Sequence, residues 1–252
     1  MKHESIGIVM AMREEIRPVL RRLGEHRKER AGQFPLYLFQ RDGRQVSLIE
    51  SGMGIKRATA ATIELISRAQ PRLIITAGLG GAVRPGLNVG EVVLAGQVLT
   101  LGDGITTKIV AIDNQALLRA VHESLPGQPF RMLDGAIVTT SGIVNKREAE
   151  GLLAREIANP VLDMETSAVA EIAERNGIPL IALRAISDAA EEELLFSLDE
   201  LTDRELNIRI GKVLLTIAKK PRILPQLIRL AKNSKLATNN LAIVLEQLTF
   251  LT

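Results

Sequence analysis

Ala182-Leu183-Arg184-Ala185-Ile186-Ser187-Asp188-Ala189-Ala190 ends an apolar run, Ile178 to Ile186, on an ionisable group. The run reads as a buried strand, so Asp188 stands at a strand end. A carboxyl group desolvated there can hold a proton at neutral pH, as an acid that protonates a leaving group must. The local alternative is a helix N-cap, with Ser187 or Asp188 closing the turn that follows. Two further carboxylates also follow apolar strand-like runs: Glu15 after Ile6–Met12, and Glu165 after Pro160–Leu162.

Working outward from these three positions, short β-rich runs alternate with amphipathic stretches, the pattern of a sheet covered by helices on both faces. The strands expected are Ile6–Met12, Leu36–Gln40, Gln45–Glu50, Leu73–Ala77, Val89–Ala95, Met132–Thr139, Val161–Asp163 and Leu180–Ile186. Helices are expected over Arg13–Leu23, Ile55–Ala69, Asn114–Ser124, Lys146–Glu156 and Thr166–Asn176. Asp42-Gly43 marks a hairpin, because that dipeptide tolerates positive φ. Gly78, Gly80, Gly81 and Gly86 read as a loop after a strand. That loop half-resembles a dinucleotide fingerprint, but Arg84-Pro85-Gly86 falls where the helix should be running. The better reading is a backbone turn whose N–H groups a ligand can approach closely.

Composition narrows the function classes. With 252 residues and 46% hydrophobic content, the chain can bury a large core. It has no cysteine, and its three histidines, His3, His26 and His122, lack ligand spacing, so no metal is expected. No run reaches the ~18 apolar residues of a spanning helix, and no signal peptide is evident, which predicts a cytoplasmic protein. The net charge of +3 hints at an acidic partner. Six aromatic residues leave little to stack bases on, so nucleic acid is not the expected one.

Five motifs occur in a recognisable order: Met10-Ala11-Met12-Arg13-Glu14-Glu15, Ser51-Gly52-Met53-Gly54, Thr76-Ala77-Gly78-Leu79-Gly80-Gly81-Ala82, Asp163-Met164-Glu165-Thr166-Ser167-Ala168 and Arg184-Ala185-Ile186-Ser187-Asp188. Together they resemble the purine nucleoside phosphorylase and methylthioadenosine/S-adenosylhomocysteine nucleosidase superfamily over roughly residues 5 to 215. The resemblance implies an α/β fold, a three-layer α/β/α sandwich with a mixed central sheet, assembled as a homo-oligomer around a small-molecule nucleoside. It implies no cofactor, with phosphate a co-substrate if the reaction is phosphorolysis. By position, Asp188 matches the acid that protonates N7 of the purine. Glu165 matches the group that accepts hydrogen bonds from the ribose hydroxyls, with Met164 against the sugar. Glu15 matches the base that activates water. Met53, Gly78 and Ser187 fall at substrate-contacting positions. The alternatives are a favourable helix-N-terminal charge for Glu165 and a solvated residue for Glu15.

Departures from the family pattern also matter. Leu79 stands where the nucleosidases usually carry serine, and Ile143 where an aromatic stacks on adenine, leaving Ile143 and Val144 to pack on the base. The segment Gly96–Lys108 replaces a longer insertion that closes over the 5′ end, so an open 5′ side is expected. Arg13 and Arg84 are candidates for gripping phosphate, or else surface residues.

The pattern divides the chain into a domain over residues 1–215 and a basic amphipathic helical extension over 216–252. The extension carries Lys219, Lys220, Arg222, Arg229, Lys232 and Lys235 against Glu246, interleaved with leucine and isoleucine. It reads either as helices packed on the protein or as a peripheral contact with anionic lipid. Such a tail beside an open 5′ pocket is similar to the hopanoid-associated phosphorylase branch, whose implied substrate is adenosylhopane. The expected activity is therefore cleavage of the N-glycosidic bond of a 5′-substituted purine nucleoside, by water or phosphate. Methylthioadenosine or S-adenosylhomocysteine is the alternative substrate, and a non-catalytic nucleoside-binding or membrane-associated protein the alternative class.

Overall fold

The computed structural model describes residues 5–41, 43–102, 104–112, 115–142, 144–190, 216 and 219–251. Its strands are β1 (Ser5–Met10), β2 (Arg27–Ala31), β3 (Phe34–Arg41), β4 (Arg44–Glu50), β5 (Leu73–Ala82), β6 (Val92–Gly102), β7 (Ile105–Ala111), β8 (Met132–Thr140), β9 (Pro160–Asp163) and β10 (Leu180–Asp188). The helices are α1 (Arg13–Leu23), α2 (Ile55–Ala69), α3 (Gln115–Ser124), α4 (Lys146–Leu152), α5 (Thr166–Arg175) and α6 (Leu224–Leu251).

All ten strands form one mixed sheet in the order β10-β6-β8-β9-β5-β1-β4-β3-β2, with β7 on β6. β10 also pairs with β5, which closes β5, β10, β6, β8 and β9 into a ring. Of the other five strands, β1, β4, β3 and β2 extend from β5 as an open wing and β7 pairs with β6.

Alternation along β1 assigns the layers. Ile6, Ile8 and Met10 join a core shared with α1, α3 and α6, whereas Val9 joins the core beneath α2 and α5. Gly7 allows the second core to close, because a Cβ there would lie 2.9 Å from Leu65 Cδ2 of α2. The result is the three-layer α/β/α sandwich expected from the sequence. Helices α1 and α2 have the bounds that their periodicity predicts.

Two expectations need correction. The glycines at 78, 80 and 81 lie inside β5, not in a loop. The reason is close approach: a Cβ on Gly80 would stand 2.4 Å from Val161 Cγ1 of β9, and one on Gly81 would stand 2.7 Å from Asp188 Oδ2. Residues 96–102 and 105–108 lie in the paired strands β6 and β7, and β2 is an edge strand that the sequence reading left out.

The C-terminal extension follows the first of its two sequence readings, helices packed on the protein, over its second half. α6 lies against α1, α3, β5, β6 and β10, and Ala237, Leu241, Ala242, Val244, Leu245 and Leu248 belong to the same core as β1. Burying Leu241, Val244, Leu245 and Leu248 stabilises by roughly 1.5–3 kcal/mol each. Their sum is comparable to the whole net stability of a domain, about 5–15 kcal/mol. Polar contacts add to the docking: the Asn240 side chain donates to Gly90 O at 2.7 Å, and Arg44 Nη1 donates to Thr249 O and Phe250 O at 2.9 and 3.0 Å, capping the helix. This half of α6 is thus part of the domain. The first half exposes Leu224, Ile228 and Leu236 beside Arg222, Arg229, Lys232 and Lys235. Among the described residues, no helix is long and apolar enough to cross a membrane.

Candidate active site

Two of the three carboxylates singled out in the sequence, Glu15 and Asp188, meet β5. Glu15 is the third residue of α1, and its Oε2 accepts the Met12 N–H at 3.2 Å, the carboxylate half of a capping box. Its Oε1 accepts the Leu79 N–H of β5 at 3.1 Å. Glu15 is therefore buried, not solvated. Burial raises its pKa above 4.5, opposed by the Leu79 N–H, the Arg184 charge and the Met12 N–H. A raised pKa makes the ionised form a stronger base, which suits a group that must take a proton from water.

Glu165 is the N-cap of α5, but its side chain does not cap that helix. Its Oε1 instead accepts the Gly54 N–H at 2.7 Å, at the start of α2. Glu165 thus joins the ends of two helices, with half-buried Met164 and Met53 beside them in sequence. The N-terminus of α5 is satisfied from elsewhere. Thr166 N donates to Asp163 Oδ2 at 2.9 Å, and Ser167 N donates to Thr139 Oγ1 at 2.9 Å.

Beneath this lies a buried ion pair that the sequence reading missed. Arg184 donates through Nε and Nη2 to Asp163 Oδ2 at 3.0 and 2.6 Å, while Thr139 Oγ1 donates to Asp163 Oδ1 at 2.6 Å. A lone arginine inside the apolar run 178–186 was the available signal, since a buried arginine requires a partner.

Desolvation and the Asp163 charge push Glu165 up to about 7 from 4.5, against the Arg184 charge and the Gly54 N–H. The native state therefore holds this proton where the unfolded state has lost it, and stability contributed by the protonated form is lost as pH rises from about 4.5 through 7. Glu165→Gln removes that dependence. Relative to wild type, the variant is expected to gain stability between pH 4.5 and 8, on the order of 3 kcal/mol at most. Urea unfolding at both ends of that range checks it, and a constant difference would show that Glu165 does not carry the proton.

Asp188 ends β10, opposite Gly81 of β5. Desolvation alone does not describe it. Its side chain is 22% exposed, and Lys146 Nζ of α4 lies 2.5 Å from its Oδ2. Ser187 Oγ donates to its Oδ1 at 2.7 Å. Nothing near position 188 in the sequence points to Lys146, because sheet closure brings them together.

Gly78 and Gly81 show how the groups are spaced. A Cβ on Gly78 would meet the Glu15 carboxylate at 3.4 Å, and one on Gly81 would meet that of Asp188. Three residues of strand separate these points by roughly 10 Å. Glu15 thus stands beside Gly78 and Asp188 beside Gly81, three residues further along β5.

Of the two arginines considered for phosphate, Arg84 is committed elsewhere. It donates to the carbonyls of Leu153, Ala154, Arg155 and Ile157, and its Nε lies 3.7 Å from Glu150. Its guanidinium anchors the chain after α4, which corrects the expected phosphate grip. Arg13 is exposed at the start of α1. Val144 is half-buried against the core under β8, and Ile143 lies outside the described residues. Among the described residues, no group of three or more acidic or histidine side chains is arranged to hold a metal ion.

Comparison with known proteins gives the family. The chain is 27% identical over 233 residues to the 5′-methylthioadenosine/S-adenosylhomocysteine nucleosidase of Listeria innocua, covering 84% of this chain and 100% of that protein. It is 26% identical over 236 residues to the nucleosidase of the same name from an Exiguobacterium species, covering 85% and 97%. Among solved structures, a futalosine hydrolase mutant of Helicobacter pylori superposes with a TM-score of 0.74 at 19% identity, covering 99% of this chain and 100% of that one. The Neisseria meningitidis nucleosidase in complex with methylthio-immucillin-A superposes at 0.73 with 18% identity, covering 99% and 100%. The family model described as the Phosphorylase superfamily matches residues 5–219, and the chain belongs to that superfamily.

Proposed function

We propose that the protein hydrolyses the N-glycosidic bond of a 5′-substituted adenine nucleoside. The observation that carries this reading is the buried Glu15 carboxylate, held by two backbone N–H groups beside Gly78 and raised in pKa, with Arg84 committed elsewhere. Water fits beside such a group better than phosphate, whose charge a carboxylate repels. The names of the relatives support the adenine nucleoside.

In this mechanism Glu15 takes a proton from water as the water oxygen bonds to C1′. The C1′–N9 bond breaks, and its electron pair leaves with the purine, which Asp188 protonates at N7. Glu165 accepts hydrogen bonds from the ribose hydroxyls, and once ionised its negative charge favours the positive charge that grows on the sugar. A proton donor, a base and water suffice, without a cofactor.

A second element of the proposal is contact with an anionic lipid surface. It is supported by the exposed Leu224, Ile228 and Leu236 among the basic residues of α6. That face, with the open 5′ side expected from the sequence, would suit a nucleoside with a long apolar 5′ chain, of which adenosylhopane is one.

One assay tests both elements: adenine release from methylthioadenosine and from a long-chain 5′-alkyl adenosine, each with and without phosphate and with and without anionic vesicles. Release without phosphate, yielding free sugar, is expected. Strict dependence on phosphate would overturn the hydrolytic reading. Indifference to vesicles and to chain length would overturn the lipid reading.

A further inference from the structure

We propose that Lys146 belongs to the leaving-group machinery, as a positioning residue that supplies, through Asp188, the proton taken up by the departing base. This rests on the glycosidic reading above.

The geometry is built around the contact. Lys146 Nζ lies 2.5 Å from Asp188 Oδ2, 2.6 Å from Ala189 O and 3.3 Å from Asp188 O. The three N–H donors of an ammonium thus meet three acceptors, all from residues 188 and 189. Asn145 fixes the approach, since its Oδ1 accepts the N–H groups of Arg147 and Glu148 at 2.9 and 3.3 Å and starts α4 with Lys146 as its first residue. Gly81 leaves the room: a Cβ there would lie 2.7 Å from Asp188 Oδ2 and 3.3 Å from Lys146 Cε.

Helix stability does not explain the lysine. A cation in the first turn opposes the helix dipole, which favours negative charge at that end. Its side chain is 13% exposed, so it retains a route to solvent.

The contact also changes how the acid works. In an ammonium–carboxylate pair the transferable proton lies on nitrogen. As C1′–N9 breaks and its electron pair enters the purine, the base becomes far more basic than a carboxylate. A proton then moves from Lys146 Nζ to Asp188 Oδ2, and Asp188, now a carboxylic acid, gives its proton to N7. Lys146 is left as a neutral amine and regains its proton from solvent.

Arginine separates proton supply from support, because it can bridge Asp188 but does not release a proton. The test compares wild type, Lys146→Arg and Lys146→Gln on an adenine nucleoside and on 4-nitrophenyl riboside, whose leaving group needs no proton. Lys146→Arg is expected to lose about tenfold or more in kcat on the nucleoside and less than about threefold on the nitrophenyl riboside. Lys146→Gln should show the same split if it folds. Full activity of Lys146→Arg on the nucleoside, or equal loss on both substrates, would overturn the proposal. A wild-type protein that cleaves no adenine nucleoside would instead overturn the glycosidic reading, and this proposal with it.

Discussion

The Asp188→Asn variant is expected to release adenine about 10²–10⁴-fold more slowly than wild type, the usual contribution of a positioned general acid. Asparagine has nearly the same shape and can still accept a hydrogen bond from Ser187, so the pocket should persist. It cannot pass a proton to N7, and it leaves the Lys146 ammonium without its counter-charge. Because that pair is partly exposed, the structural cost should be no more than about 1 kcal/mol. Steady-state kinetics combined with calorimetric binding of a nucleoside analogue would separate the two effects. Retained binding with lost turnover supports the assignment; unchanged adenine release would remove Asp188 from the chemistry.

The second large effect concerns stability. Arg184→Met should destabilise the fold by about 3–5 kcal/mol, because it strands the Asp163 carboxylate in the interior. For a chain of this size that corresponds to a fall in melting temperature of roughly 6–20 °C. The side chains of Arg184 and Asp163 are 2% and 0% exposed, so solvent cannot replace the lost partner. Asp163→Asn in the Arg184→Met background should recover part of the loss by removing the orphaned charge. The Arg184 charge also lowers the pKa of both Glu15 and Glu165, so its removal should make both carboxyls harder to ionise. A variant that melts like wild type would mean that the pair is not a sealed support beneath the site.

These two residues illustrate how unevenly the site can be read from sequence. Asp188, Glu15 and Glu165 stand out because each is a charge directly after an apolar run, and the motifs containing them occur in family order. Arg184 and Asp163 lie within the same motifs, yet pairing them requires knowing that β10 and β9 both border β5. Lys146 is 42 residues from its partner and gives no local signal. Arg84 shows the converse. Beside a glycine run it reads as an anion ligand, and only the fold reveals the four carbonyls that occupy it.

The sequence by itself determined the α/β alternation, the bounds of α1 and α2, the pairing of β3 with β4 and the three carboxylates that follow apolar runs. Periodicity and turn chemistry act between residues a few positions apart, so those features are written locally. Tertiary structure alone decided that Gly78–Gly81 is strand, that the second half of α6 is core, and that Lys146 faces Asp188. Each of these depends on closure of β5, β10, β6, β8 and β9 into a ring, which presses β9 and the Asp188 carboxylate against the β5 glycines. What a glycine, a leucine or a lysine does at such a place is fixed by the group that the ring sets opposite it, and that group is distant in the chain.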